Sequence, residues 1–162
     1  MALAIGCLST QAVALEPPPP SPPPPTRSDI SLELARQGVE TALAVCNGRG
    51  EKVIAEVVDW AGNTKVLMTS DGALPYYKAA QSLAYTALKT RISSGDFTKK
   101  SGPDLPARLA ADPKLGFGPG GIPILKGDLV LGAISVVGSK DDACARAGRD
   151  KIEAGLKIQK SN

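Results

Sequence analysis

The chain reads as an α+β domain: a single antiparallel sheet of four to five strands covered by helices, in the order α-β-β-α-β-β-α. Three observations predict this. Three segments carry apolar residues at three-to-four-residue spacing, the period of an amphipathic helix. Between them lie two pairs of short β-rich runs, each pair joined by turn residues, which implies hairpins rather than parallel crossover units. The 162 residues suffice for one domain, and no stretch repeats at the spacing of a solenoid.

Leu32, Ala35, Val39, Ala42, Leu43 and Cys46 make the first helical stripe. Ser31 or Asp29 can cap it, and Asn47-Gly48 stops it. Residues 52–59 are rich in valine and isoleucine and read as a strand. After the turn Trp60-Ala61-Gly62-Asn63, Thr64–Thr69 returns as its hairpin partner. Trp60 is either a capped edge of the core or an exposed contact. Pro75 opens a second helix with the stripe Tyr76, Ala80, Leu83, Ala87 and Arg91, expected to end at Ser94-Gly95. Residues 96–120 read as an irregular polar connection containing Lys99-Lys100 and four prolines. One short helix, Leu105–Ala111 capped by Asp104, is expected inside it. Gly121–Lys126 and Leu129–Val137 form a second hairpin across Gly127-Asp128, a strong turn signal. The last helix begins near Asp141, which with Asp142 caps it. Cys144, Gly148, Ile152 and Leu156 share one of its faces.

Before this domain, residues 2–14 are uncharged and end in Ala12-Val13-Ala14, the A-x-A form that precedes signal-peptidase cleavage, although no Lys or Arg precedes the run. Residues 1–14 are therefore expected to be an export signal, and the mature protein secreted or periplasmic. Eight of the 14 prolines lie within residues 17–25, which predicts a polyproline II spacer of roughly 28 Å at about 3.1 Å per residue. Residues 15–28 are read as a linker, a stalk in preference to a partner-binding ligand, and residues 29–162 as the domain. No run reaches the ~18–20 apolar residues of a membrane span. Removal of the leader takes away Cys7 and leaves Cys46 and Cys144, the arrangement an exported protein uses for one disulfide. Such a bridge would staple the first helix to the last.

The chain contains no histidine. That excludes Ser-His-Asp and Cys-His catalysis, His-bearing zinc and iron sites, and a histidine-ligated haem. A net charge of +3 is too small a bias to argue for nucleic acid. The run from Gly116 to Gly121 matches G-x-G-x-x-G, but it precedes a strand instead of opening a helix, and Pro119 removes a backbone donor, so it is not a dinucleotide site. It is either a plain bend into the strand or a place where free amides of Gly120 and Gly121 face a ligand's carboxylate. Asp71, Tyr76, Tyr77 and Lys78 bring an acid, two phenols and an amine to the start of the second helix. They line a polar pocket or are a solvated helix start. Arg91, Lys99 and Lys100 offer positive charge for an anionic ligand.

Val57-Val58-Asp59-x-x-Gly62, Asp71-Gly72-Ala73 and Ala84-Tyr85-Thr86-Ala87 resemble the first half of the GlcG/HbpS-like family. Gly120-Gly121-Ile122-Pro123-Ile124, the turn Gly127-Asp128, the run from Leu131 to Val136, and Asp142-x-Cys144-Ala145-x-Ala147-Gly148 resemble its second half. The resemblance implies a profilin-like fold, commonly as a homo-oligomer, and haem as a possible ligand. Two departures stand out. Leu83 occupies a position where the family usually has lysine, and the missing histidine leaves haem iron to other side chains. Tyr76, Tyr77 and Tyr85 are then the phenolate candidates, with Met68 a weaker one. Lys78, Arg91 or Lys99 could hold propionates. The function expected is an exported binder of haem or a related tetrapyrrole, with no catalytic residues assigned. The alternatives are an enzyme of haem degradation or small-acid metabolism, and a structural or partner-binding module on the proline stalk.

Overall fold

In the computed structural model, which describes residues 29–158, the Ser31 side chain accepts a hydrogen bond from the Leu34 amide at 3.2 Å and so starts α1 (Leu32–Gly48). The two hairpins follow as read. β1 (Ile54–Asp59) pairs with β2 (Thr64–Thr69), and β3 (Gly121–Lys126) pairs with β4 (Leu129–Val137). β1 and β4 then join the hairpins into one antiparallel sheet in the order β2-β1-β4-β3. The expected leader and linker lie outside the described residues.

The two sheet faces are covered differently, and this difference makes the site. On one face Ala55, Val57, Ile122, Ile124, Ile134 and Val136 pack against α1 and α5 (Ala143–Ile158) in one continuous core. On the other, Val58 and Ala133 meet Ala84 and Ala87 of α2 (Tyr77–Thr90). β1 is thus buried on both sides, which is why its sequence shows no polar alternation. α2 lies over β3 and β4 and reaches β1. On β2, Thr64, Leu67 and Thr69 remain exposed.

The second helix ends earlier than its sequence suggests. Arg91 adopts a left-handed conformation (φ 62°) and closes α2. Ser93 then accepts a hydrogen bond from the Asp96 amide at 3.0 Å and starts a new helix, α3 (Ser94–Ser101). Ser94-Gly95 therefore opens a helix instead of ending one, and much of the connection expected to be irregular is helical. A 3-10 turn (Gly102–Asp104) runs into α4 (Leu105–Ala111), whose bounds are as expected, but the Asp104 side chain makes no capping bond. Tyr76 and Arg91, placed in the buried stripe by periodicity, are both exposed.

Cys46 and Cys144 are disulfide-bonded across 98 residues of chain, with Cα atoms 5.7 Å apart. The bridge ties α1 to α5 beside a close helix crossing, where a Cβ on Gly148 would stand 2.6 Å from the Gly38 carbonyl oxygen. Among the described residues no helix is long and apolar enough to cross a membrane.

Candidate functional site

Two clefts of about 410–510 Å³ open beside α2, within the size range of small-molecule sites. The larger, about 510 Å³, lies between α2 and the β1–β2 hairpin. Its helical wall is Lys78, Gln81, Ser82 and Tyr85, residues three or four apart and therefore on one side of α2. Val58 and Thr64 line it from the sheet, Ala61 and Gly62 from the hairpin turn, and Pro113 and Lys114 from the segment after α4. The smaller, about 410 Å³, lies between α2, residues 115–119 and the end of β4, with Ser82 shared between the two.

Glu56 forms part of the floor of the larger cavity. It sits in the middle of β1, fully buried. Thr64 Oγ1 donates to its Oε1 at 2.5 Å, while Oε2 has no hydrogen-bond partner among the described residues. Directly across the ladder on β4 is Ser135, also fully buried and also with an unpartnered side-chain oxygen. Leaving a buried polar atom unpaired costs about 1–3 kcal/mol, more for charged groups. Burial pushes the Glu56 carboxyl above its ordinary value of 4.5, with the Thr64 hydrogen bond opposing the rise.

A stability consequence follows. Below the ordinary carboxyl value both folded and unfolded chains hold the Glu56 proton. As pH rises above it, the unfolded chain loses the proton first, so Glu56 destabilises the fold progressively until the folded group also ionises. Glu56→Gln is expected to stabilise the protein at pH 7.5, with the gain shrinking towards pH 4. Urea unfolding across that range measures it. A gain of the same size at every pH would contradict the ionisation argument.

Tyr85 is the one tyrosine lining either cavity. Its hydroxyl donates to Asp112 at 3.0 Å and accepts from Lys89 at 3.2 Å, and Lys89 also pairs with Asp112. The Lys89 ammonium holds the Asp112 carboxyl below its usual range. Lys114 stands 5.9 Å from the Tyr85 ring centre.

Of the residues singled out from sequence, the fold brings Lys78 and Tyr85 together in this cavity. Others are placed elsewhere. Asp71, Tyr76 and Tyr77 lie exposed at the start of α2 and line neither cavity, the two tyrosines being 53% and 51% exposed. Arg91, thirteen residues along α2 from Lys78 and so roughly 20 Å away, hydrogen-bonds the Asp128 carbonyl in the β3–β4 turn. Lys99 and Lys100 are exposed in the last turn of α3. Met68 packs on the α1 side of the sheet. The amides of Gly120 and Gly121 are not free for a ligand: they donate to Asp142 Oδ1 at 2.6 Å and Ser94 Oγ at 2.9 Å. Cys46, Glu51 and Cys144 cluster closely enough to suggest a metal site, but the disulfide occupies both sulfurs. Sequence reading missed Glu56 and Lys114. A lone acid inside the apolar run of residues 53–58 was the available signal for Glu56.

A family model described as haem degrading protein HbpS-like matches residues 30–150. No curated protein matches the chain significantly. Among solved structures, one of HbpS is 28% identical and superposes with a TM-score of 0.71, covering 77% of this chain and 91% of its own. A double mutant of Streptomyces reticuli HbpS is 26% identical with the same TM-score, covering 91% and 97%. The structure of a PduOC:haem complex, at 17% identity and a TM-score of 0.71, covers 77% and 96% and shares the fold. Its family model spanning nearly all of the described domain, and its hairpins closing into the sheet that the paired motifs anticipate, this chain belongs to the HbpS-like family.

Proposed function

We propose that this protein is an exported, non-catalytic binder of haem or a related tetrapyrrole, held in the cavity between α2 and the β1–β2 hairpin. The observation that carries the reading is the composition of that cavity in a chain of this family: apolar surface from Val58, Ala61 and Pro113 beside the cations Lys78 and Lys114 and the phenol Tyr85. Haem, when bound, supplies a redox-active iron and two carboxylates. Lys78 and Lys114 would pair with the propionates. Tyr85 would be the phenol nearest the iron, its oxygen positioned by Asp112 and Lys89. The fold suits such a ligand, since PduOC, which shares it, is known in complex with haem.

Export is supported by the Ala12-Val13-Ala14 pattern and by the Cys46–Cys144 bridge, a bond that persists in oxidising compartments. A homo-oligomer is supported by exposed apolar side chains at Leu74, Tyr76 and Tyr77 around the start of α2, and light scattering on the purified chain tests it.

Haemin titration of the purified full chain, with albumin as a non-specific control, tests the ligand. A saturable Soret shift at one haem per chain or per dimer is expected. Lys78→Glu combined with Lys114→Glu should weaken it at least tenfold, and Tyr85→Phe should remove any phenolate charge-transfer band. A spectrum indistinguishable from free haemin would refute the proposal. Progressive bleaching of the Soret band by the protein would replace binding with haem breakdown, the activity in the family's description.

A further inference from the structure

The smaller cavity, of about 410 Å³, has no part in the ligand site above beyond the shared Ser82. Its walls are apolar: Ala79 and Leu83 of α2, Leu115, Phe117 and Pro119 of the segment before β3, and Val136 near the end of β4. Among the described residues, none that lines it carries a charge. It therefore offers nothing to hold a ligand's carboxylates, unlike the cavity with Lys78 and Lys114. Phe117 stands between Gly116 and Gly118 and is 64% exposed, the most exposed aromatic side chain among the described residues. An uncharged groove with an open aromatic ring on its wall is the kind of surface on which polyproline II segments dock. The chain carries such a segment, since residues 17–25 hold eight prolines and Ser21, with no charged side chain. Proline has no backbone N–H, so this run presents only ring faces and carbonyl acceptors. The apolar walls meet the rings, and the Ser82 hydroxyl can donate to a carbonyl.

We propose that this groove takes the Pro-rich run of residues 17–25 from a second copy of the chain, so that the run links copies as well as spacing the domain. This names one contact of the homo-oligomer proposed above and rests on that reading. Placement favours a second copy over the chain's own run. The described chain starts at Asp29, which pairs with Lys65 on β2 next to the β1–β2 turn, and Ile30 enters the core on the α1 side of the sheet. The groove lies on the α2 side, beside residues 136–139, where Val137 pairs with Ile54 at the opposite end of β1. The chain's own run is thus tethered at the far end and on the far face of the sheet. Pro25 stays within about 14 Å of Asp29, four residue steps away, so most of the run would be taken up in rounding the sheet edge. A neighbour's run, roughly 28 Å long in the polyproline II form, enters the groove without that detour.

Sedimentation velocity of the full-length chain over a range of concentrations tests this. It compares the wild type with Phe117→Ala and with a run variant carrying Pro18→Ser, Pro20→Ser, Pro23→Ser and Pro25→Ser. The wild type is expected to self-associate, and each variant alone to associate at least tenfold more weakly. An equimolar mixture of the two variants should associate more strongly than either alone, because one supplies the run and the other the groove. Unfolding curves establish that Phe117→Ala, which removes an exposed side chain, is folded. A mixture that associates no better than its components overturns the inference. Association that either variant leaves unchanged also overturns it, while leaving the homo-oligomer standing on another face. A wild type that stays monomeric throughout overturns both.

Discussion

Gly121→Ala is expected to destabilise the domain by about 3 kcal/mol or more and to abolish ligand uptake with it. In an ordinary strand the same change would help, because alanine loses less backbone freedom than glycine on folding. Here a Cβ would lie 2.2 Å from the Leu83 carbonyl oxygen and 2.7 Å from its carbon, both backbone atoms of α2. No side chain can swing aside, so α2 must lift off β3. The neighbouring Gly120 leaves no room for β3 to retreat: its φ is 122°, and its own missing Cβ would fall 2.2 Å from the Val136 carbonyl oxygen. Since α2 is a wall of both cavities, a shift that relieves the clash also reshapes the site. Gly155→Ala supplies the comparison. Its Cβ would come equally close to another atom, but that atom is the end of the flexible Leu34 side chain, and a milder loss is expected. Urea unfolding and haemin titration of both variants measure this. A Gly121→Ala protein within 1 kcal/mol of wild type would disprove the close-packing argument.

Loss of the Cys46–Cys144 bridge should cost nearly as much or more. Closing a loop across 98 residues restricts the unfolded chain, and the entropic model assigns about 4–5 kcal/mol to a loop of that length. Against a total stability of about 5–15 kcal/mol for a domain, this is a large share. The bridge also sits where α1 and α5 cross at Gly38 and Gly148, the densest helix contact of the core. The double variant Cys46→Ser, Cys144→Ser is expected to unfold at markedly lower urea concentration than the oxidised wild type, as is wild type treated with reductant. A difference below 1 kcal/mol would mean that the helix packing alone restricts the chain as tightly as the covalent link.

The hairpins were legible because their signals are local. Gly127-Asp128 between two β-rich runs specifies a two-residue turn whatever the rest of the chain does, and Thr64–Thr69 needs only the turn before it. α4 was legible for the same reason. The boundary between α2 and α3 was not, because Ser94-Gly95 reads as a stop in a continuing helix. What decides it is the left-handed turn at Arg91 and the Ser93 cap that follows. The site was legible only in part. Lys78 and Tyr85 both belong to it, but Asp71, Tyr76 and Tyr77, their near neighbours in sequence, do not.

By itself, then, the sequence determined the α+β class, the two hairpins, the pairing of Cys46 with Cys144 and the exclusion of histidine chemistry. These depend on local turn residues, on periodicity and on composition. Only the tertiary structure decided where the cavities lie and which side chains line them. That depends on how far α2 reaches across the sheet, on β1 being covered from both sides, and on Gly120 and Gly121 giving their amides to Asp142 and Ser94. A residue such as Glu56 looks like a lapse in an apolar strand until long-range packing places it, fully buried, in the wall of an open cleft.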